Sequence, residues 1–172
     1  MRKMALLIVL AFAVVPAALA EDSPTPSQQA STLCKQQRTA VGTNAFTLLY
    51  GGGKNAYGRC VSKLASTVSH DVANAAKLCA AERGDANFAA THDGKTFAQL
   101  YGTGPHGNNA YGKCVSSKAK ALVQEQQEAT VSAAKTCKAE RTSLGATLFN
   151  AKYGNKASAF GKCVSKTAKA TP

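Results

Sequence analysis

The sequence contains no tryptophan, and aromatic residues make up only 6% of it. Acidic residues are scarce as well, nine Asp+Glu against 21 Lys+Arg in 172 residues. Beyond residue 20 no stretch approaches the ~20 apolar residues that a membrane-spanning helix needs. There is no G-x-S-x-G, no P-loop, no H-E-x-x-H and no alternating C-x-x-C of zinc spacing. These absences leave no recognisable nucleophile, nucleotide or metal motif. The expectation is a protein with no catalytic site and no cofactor. Hydrophobic residues at 45% and charged residues at 17% nevertheless exclude a wholly disordered chain, and the length fits about one domain.

What is present begins with an export signal over residues 1–20. Arg2 and Lys3 are its charged start, Met4 to Val15 its apolar run, and Ala18-Leu19-Ala20 its cleavage site. The apolar run is 12 residues, too short to cross ~30 Å of hydrocarbon at 1.5 Å per residue. Removal of this segment leaves 19 Lys+Arg against 9 Asp+Glu, a charge of +10. Glu21 to Ser31, with Pro24 and Pro26 and few apolar residues, reads as a flexible leader over 21–31. The folded part is expected over 32–169. Six cysteines in a small exported chain predict three disulfides and a secreted or envelope location.

The folded part is one motif written three times. Each copy opens with a cysteine, has Gln or Glu as the fourth residue counted from it, and Arg next: Cys34/Gln37/Arg38, Cys79/Glu82/Arg83 and Cys137/Glu140/Arg141. F-x3-Y-G follows at Phe46/Tyr50/Gly51, Phe97/Tyr101/Gly102 and Phe149/Tyr153/Gly154. Then comes A-[YF]-G-[KR]-C-V-S from Ala56, Ala110 and Ala159, with cysteines at Cys60, Cys114 and Cys163. The modules span about 32–63, 77–117 and 135–166, and the middle one carries nine extra residues. Nine of the eleven aromatics sit at repeat positions, which marks them as builders of each module rather than agents of one chemical step.

These tandem motifs behind a signal segment resemble a group of uncharacterised secreted bacterial repeat proteins. The resemblance covers Cys34 to about Lys166. It implies a shared module and no activity. The first copy departs from the pattern by carrying Gln37 in place of Glu.

Between motifs the periodicity is helical. From Cys60 the apolar positions Val61, Leu64, Val68, Val72, Ala75 and Cys79 step by three or four, and neither Pro nor Gly interrupts 59–83. A similar stripe crosses 113–141, broken by Gln126. Long helices are predicted over 54–83 and 108–142, shorter ones over 27–40 and 155–169, with a short helix carrying each F-x3-Y. Cys60 and Cys79 then share a helix 19 residues apart, roughly 28 Å, far beyond the ~7 Å that a disulfide spans. The same holds for Cys114 and Cys137. Of 15 pairings the geometry favours Cys34–Cys60, Cys79–Cys114 and Cys137–Cys163. The fold class is all-α: disulfide-stapled helical hairpins in an up-down four-helix arrangement, with two long central helices and short helices in the turns. The enlarged second turn, including Phe88, is expected to cap the end that the outer helices leave bare. The runner-up is an elongated string of three hairpins.

Three functional readings remain. The first is a secreted interaction or structural module that binds anionic envelope polymers, such as the cell wall, through a lysine-rich surface. Lys113, Lys118, Lys120, Lys135, Lys138, Lys162 and Lys166 are its candidate contacts. Lysine is a point charge and not a bidentate base reader, so sequence-specific nucleic-acid recognition is not expected. The alternative is a basic membrane-active or inhibitory protein. The third is a hydrolase in the second turn, where His92, Asp93 and His106 are weak metal or acid–base candidates. His70 reads as a solvated surface residue, and Arg38, Arg83 and Arg141 as groups that bond the last carbonyls of their helices.

Overall fold

The computed structural model describes residues 24–154 and 158–170. The expected signal segment over 1–20 and the first three leader residues lie outside the described residues. Among the described residues the order is α1 (Pro26–Val41), α2 (Thr43–Leu49), α3 (Ala56–Gly84), α4 (Phe88–Thr91), α5 (Phe97–Tyr101), α6 (Ala110–Tyr153) and α7 (Ala159–Ala170), with no strand. The fold is all-α.

The flexible leader expected over 21–31 is corrected by α1, which starts inside it. Thr25 Oγ1 accepts the Gln28 N–H at 3.3 Å, and the Gln28 side chain accepts the Thr25 N–H at 2.8 Å. With Pro26 at the first helical position, this capping box satisfies donors that would otherwise end a helix unpaired. The helix predicted over 27–40 is thus Pro26–Val41, and of the overlapping leader only the residues before Pro26 stay outside it.

Three disulfides, Cys34–Cys60, Cys79–Cys114 and Cys137–Cys163, each close one module with Cα atoms 6.0 Å apart. The two long helices run antiparallel. As the number rises along α3 from Asp71 to Cys79, the partner on α6 falls from Gln126 to Cys114. The outer helices, α1 of 16 residues and α7 of 12, are much shorter than the central pair.

Modules one and three share a single core. Phe46 and Tyr50 from the first, Phe149 and Phe160 from the third, and two disulfides pack with Ala133 and Ala134 of α6. Each fully buried phenylalanine contributes about 1.5–3 kcal/mol by removal from water. This common core separates the structure from a string of independent hairpins. Module two lies at the other end of the α3–α6 pair. There Phe88 is buried, stacks on His92 at 3.9 Å and meets the edge of Phe97 at 5.6 Å.

The helix predicted over 108–142 and the short helix predicted to carry Phe149 and Tyr153 are nearly continuous in α6, which runs to Tyr153. Helix α6 is broken only at Gly145, with φ 74 and ψ 160, before it resumes through Phe149. Gly42, four residues before Phe46, has the same conformation at φ 83 and ψ 153. Only glycine enters this region without strain. In both modules the break turns the following segment so that its phenylalanine enters the core and its tyrosine reaches back to the preceding helix.

Candidate functional site

The recurring Gln or Glu of the first motif meets the recurring Tyr of the second. Tyr101 Oη donates to Glu82 at 2.9 Å and Tyr153 Oη to Glu140 at 2.9 Å, while Tyr50 Oη donates to Gln37. In each module that side chain lies against the disulfide, 3.7 to 3.9 Å from Sγ of Cys60, Cys114 or Cys163. Burial pushes the Tyr50 hydroxyl up to about 12. Burial also works against the Glu82 charge, but the Lys118 and Tyr101 bonds outweigh it and hold the carboxyl below its ordinary value. Glu140 is held low by Lys152 and then by Tyr153. Three copies of one tyrosine–acceptor–disulfide cluster lock three hairpins.

The two carboxylates take their cations from different places. Lys118 on α6 pairs with Glu82 at 2.8 Å, and Lys152, next to Tyr153, pairs with Glu140 at 2.7 Å. The equivalent positions in module one are Leu64, four residues after Cys60, and Leu49, next to Tyr50. Lacking a cation at either place, the first module carries the neutral Gln37, which is fully buried. Its departure from the motif follows from the expense of burying an unpaired charge.

Arg38 and Arg83 lie in the last turns of α1 and α3 as expected, but their contacts are with aromatic rings. The Arg38 guanidinium lies over the Tyr57 ring at 5.7 Å, and Arg83 over Tyr111 at 4.8 Å, as cation–π partners of the third motif. The carbonyl-bonding role falls instead to the basic residue of A-[YF]-G-[KR]-C. Arg59 donates to the Tyr50 and Gly51 carbonyls at 3.3 and 3.4 Å. Lys162 takes the matching place in module three, where a Cβ on Gly154 would meet its Nζ at 2.8 Å.

The seven candidate lysines are not brought to one point. Lys113 and Lys120 lie on the first half of α6, Lys135 and Lys138 on its second half, and Lys162 and Lys166 on α7. All six are exposed, and none has a carboxylate within 4 Å among the described residues. Lys118 differs, being half-buried and committed to Glu82. Helix α7 turns Ala159, Phe160, Cys163 and Val164 inward, which leaves Lys166 and Lys169 on its outer side, while Lys162 reaches Gly154 and the wall of the neighbouring cleft.

In the second turn the histidines and Asp93 do not form a set. His92 Nδ1 lies 2.8 Å from the Phe88 carbonyl and 3.0 Å from Thr91 Oγ1, and its ring stacks on Phe88. Asp93 is exposed with φ 53, and His106 is exposed. Among the described residues no group of three His, Cys, Asp or Glu side chains is placed to hold a metal ion.

Sequence reasoning missed Asp71. Its neighbour His70 has a 74% exposed side chain, but Asp71 is 2% exposed and accepts from Gln126 Nε2 at 3.2 Å through both carboxylate oxygens. Next to that bond, Gln127 Nε2 donates to the Leu33 carbonyl at 3.2 Å. The Gln126-Gln127 pair thus ties α6 to both α3 and α1 at mid-height. A polar pair inside a helix seam fixes register, because sliding either helix would strand it.

Two concave surfaces flank the central pair. A cleft of about 490 Å³ lies between α1, α3, α6 and α7, with Gln37, Lys63, Gln127 and Lys162 among its walls. A groove of about 990 Å³ runs between the start of α1 and the middle of α3 and α6. Comparison with protein-family models, with curated proteins and with solved structures finds no match for this chain.

Proposed function

We propose that the protein is an exported, non-catalytic binding module that holds anionic polymers of the cell envelope through its exposed lysines. The observation that carries this reading is the contrast between the two kinds of lysine. Lys118 and Lys152 are taken up by Glu82 and Glu140, whereas six of the seven candidates are exposed and form no ion pair within 4 Å among the described residues, Lys166 acting on Glu140 only at longer range. A helical scaffold closed by three disulfides holds those charges at fixed separations, which suits repeated anionic groups along a polymer. The disulfides are compatible with an oxidising, extracellular setting, and no described helix is long and apolar enough to cross a membrane.

The charges occur in pairs at helical spacing: Lys113 and Lys120 seven apart, Lys135 and Lys138 three apart, Lys162 and Lys166 four apart. Double replacement of each pair by alanine tests the reading against purified wall polymer. Each double variant is expected to bind more weakly and with a shallower salt dependence; the Lys113/Lys120 and Lys135/Lys138 variants should keep their melting temperature within about 2 °C, whereas the Lys162/Lys166 variant also loses the Lys162 contact beside Gly154 and should melt lower. Unchanged binding in all three double variants would refute the proposal.

A further inference from the structure

The groove beside α1 follows directly from the lengths of the helices. The outer helices cover the first and third modules, and the middle of the α3–α6 pair keeps an apolar side that, among the described residues, only the start of α1 borders. Its floor is Val68 and Ala119, both buried, and its walls include Leu33, Val72, Val115 and Val123. Val72 is 38% exposed there, although it belongs to the apolar stripe of α3. At about 990 Å³ the groove lies at the upper end of the range for small-molecule sites, roughly 300–1,000 Å³. Its apolar side chains form one strip between polar walls that include Gln36, Gln124 and Gln127.

Charge selects the occupant. Lys120 stands on the groove wall without a carboxylate within 4 Å, and Lys113 lies seven residues before it on the same helix. Glu128 lines the other end, eight residues or about 12 Å further along α6. An anionic head therefore finds its partner at Lys120 and is repelled from the Glu128 end. A second copy of the chain is disfavoured by net charge, since the mature chain carries 19 basic against 9 acidic residues.

We infer that this groove binds one free, monomeric fatty acid, with its carboxylate at Lys120 and its alkyl chain over Val123, Val68, Val72 and Leu33. This site does not rest on polymer binding: the polymer reading uses charges spread over two helices, and the groove needs only one of them.

The test titrates the oxidised protein with sodium octanoate, decanoate and dodecanoate below their micellar concentrations. 1-Decanol and decyltrimethylammonium serve as neutral and cationic chains of equal length. One saturable site is expected, tightening by up to about fourfold for each added methylene. Lys120→Glu should weaken decanoate about tenfold and leave 1-decanol within about twofold. Val72→Glu, at a position already half-exposed, should weaken both, with an unchanged melting curve showing that the fold is intact. The inference is overturned if the folded protein binds no fatty acid saturably, or if decyltrimethylammonium binds as tightly as decanoate. Sedimentation that reveals a dimer dispersed by Val72→Glu would overturn it in favour of a second copy. Binding to phosphatidylglycerol vesicles that is lost in Val72→Glu would overturn it in favour of a membrane.

Discussion

Replacing Gly145 by alanine sets two effects against each other. Residues 110–153 are helical on both sides of Gly145, so local propensity favours alanine by about 1 kcal/mol over glycine. A continuous helix, however, would place Glu140 and Tyr153 13 residues apart, roughly 20 Å, and their 2.9 Å bond could not form. Phe149, fully buried, would leave the core at a cost of about 3–5 kcal/mol. The cheaper course is to keep the break and hold alanine at φ 74 and ψ 160, which costs about 1–3 kcal/mol. A smaller unfolded-state gain of about 0.4–1 kcal/mol is set against that strain. The middle of the two ranges leaves a net loss of about 1.3 kcal/mol, or roughly 3–6 °C in melting temperature for a domain of this size. Thermal unfolding of the oxidised protein followed by far-UV circular dichroism reads it. Gly112→Ala is the control, since Gly112 lies inside α6 with nothing within 4 Å of an added Cβ, and it should stabilise by about 0.5–1 kcal/mol. If Gly145→Ala melts at or above the parent temperature, the account of the break is wrong.

Other outcomes follow from the same geometry. Gln37→Glu puts a carboxyl into a buried site with no cation, so it should lose roughly 2–3 kcal/mol at pH 7 and recover much of it at pH 4, where the new group is neutral; denaturant midpoints at the two pH values measure this. Glu82 has a lowered folded-state pKa, so its contribution is present above the ordinary carboxyl range and is lost as pH falls through the folded value; Glu82→Gln should flatten the stability profile below about pH 4.5. Removing Cys79–Cys114 with paired alanines should cost about 4 kcal/mol by loop entropy, and hydrogen exchange should rise first over 85–109, because the shared core lies at the other end of the long helices.

The helices and the module boundaries were legible because a rigid rise of 1.5 Å per residue turns cysteine spacing into distance. The long helix predicted over 54–83 is Ala56–Gly84, and the one predicted from 108 begins at Ala110. The helix predicted over 27–40 is Pro26–Val41, so the leader expected over 21–31 was drawn too long by composition where Thr25, Pro26 and Gln28 already form a helix start. Asp71 was hidden for a different reason. A stripe stepping through Val68 and Val72 points at Val72, yet the helix seam passes through Val68, Asp71 and Ala75, with Val72 half outside. Only the antiparallel register of α6, which brings Gln126 opposite, distinguishes the two. The cations of Glu82 and Glu140 were not legible, because they come from different motif positions in each module. The groove was implicit in the short outer helices, but which apolar residues line it depends on how far α1 reaches along α3.

The central claim, that exposed lysines hold anionic envelope polymers, is tested most directly by co-sedimenting the oxidised protein with purified cell-wall material from about 50 to 500 mM salt. If three to six lysines each displace a counterion, log affinity should fall against log salt with a slope of roughly −2 to −5. Binding that holds constant across that range, or no binding at the lowest salt, would contradict the account.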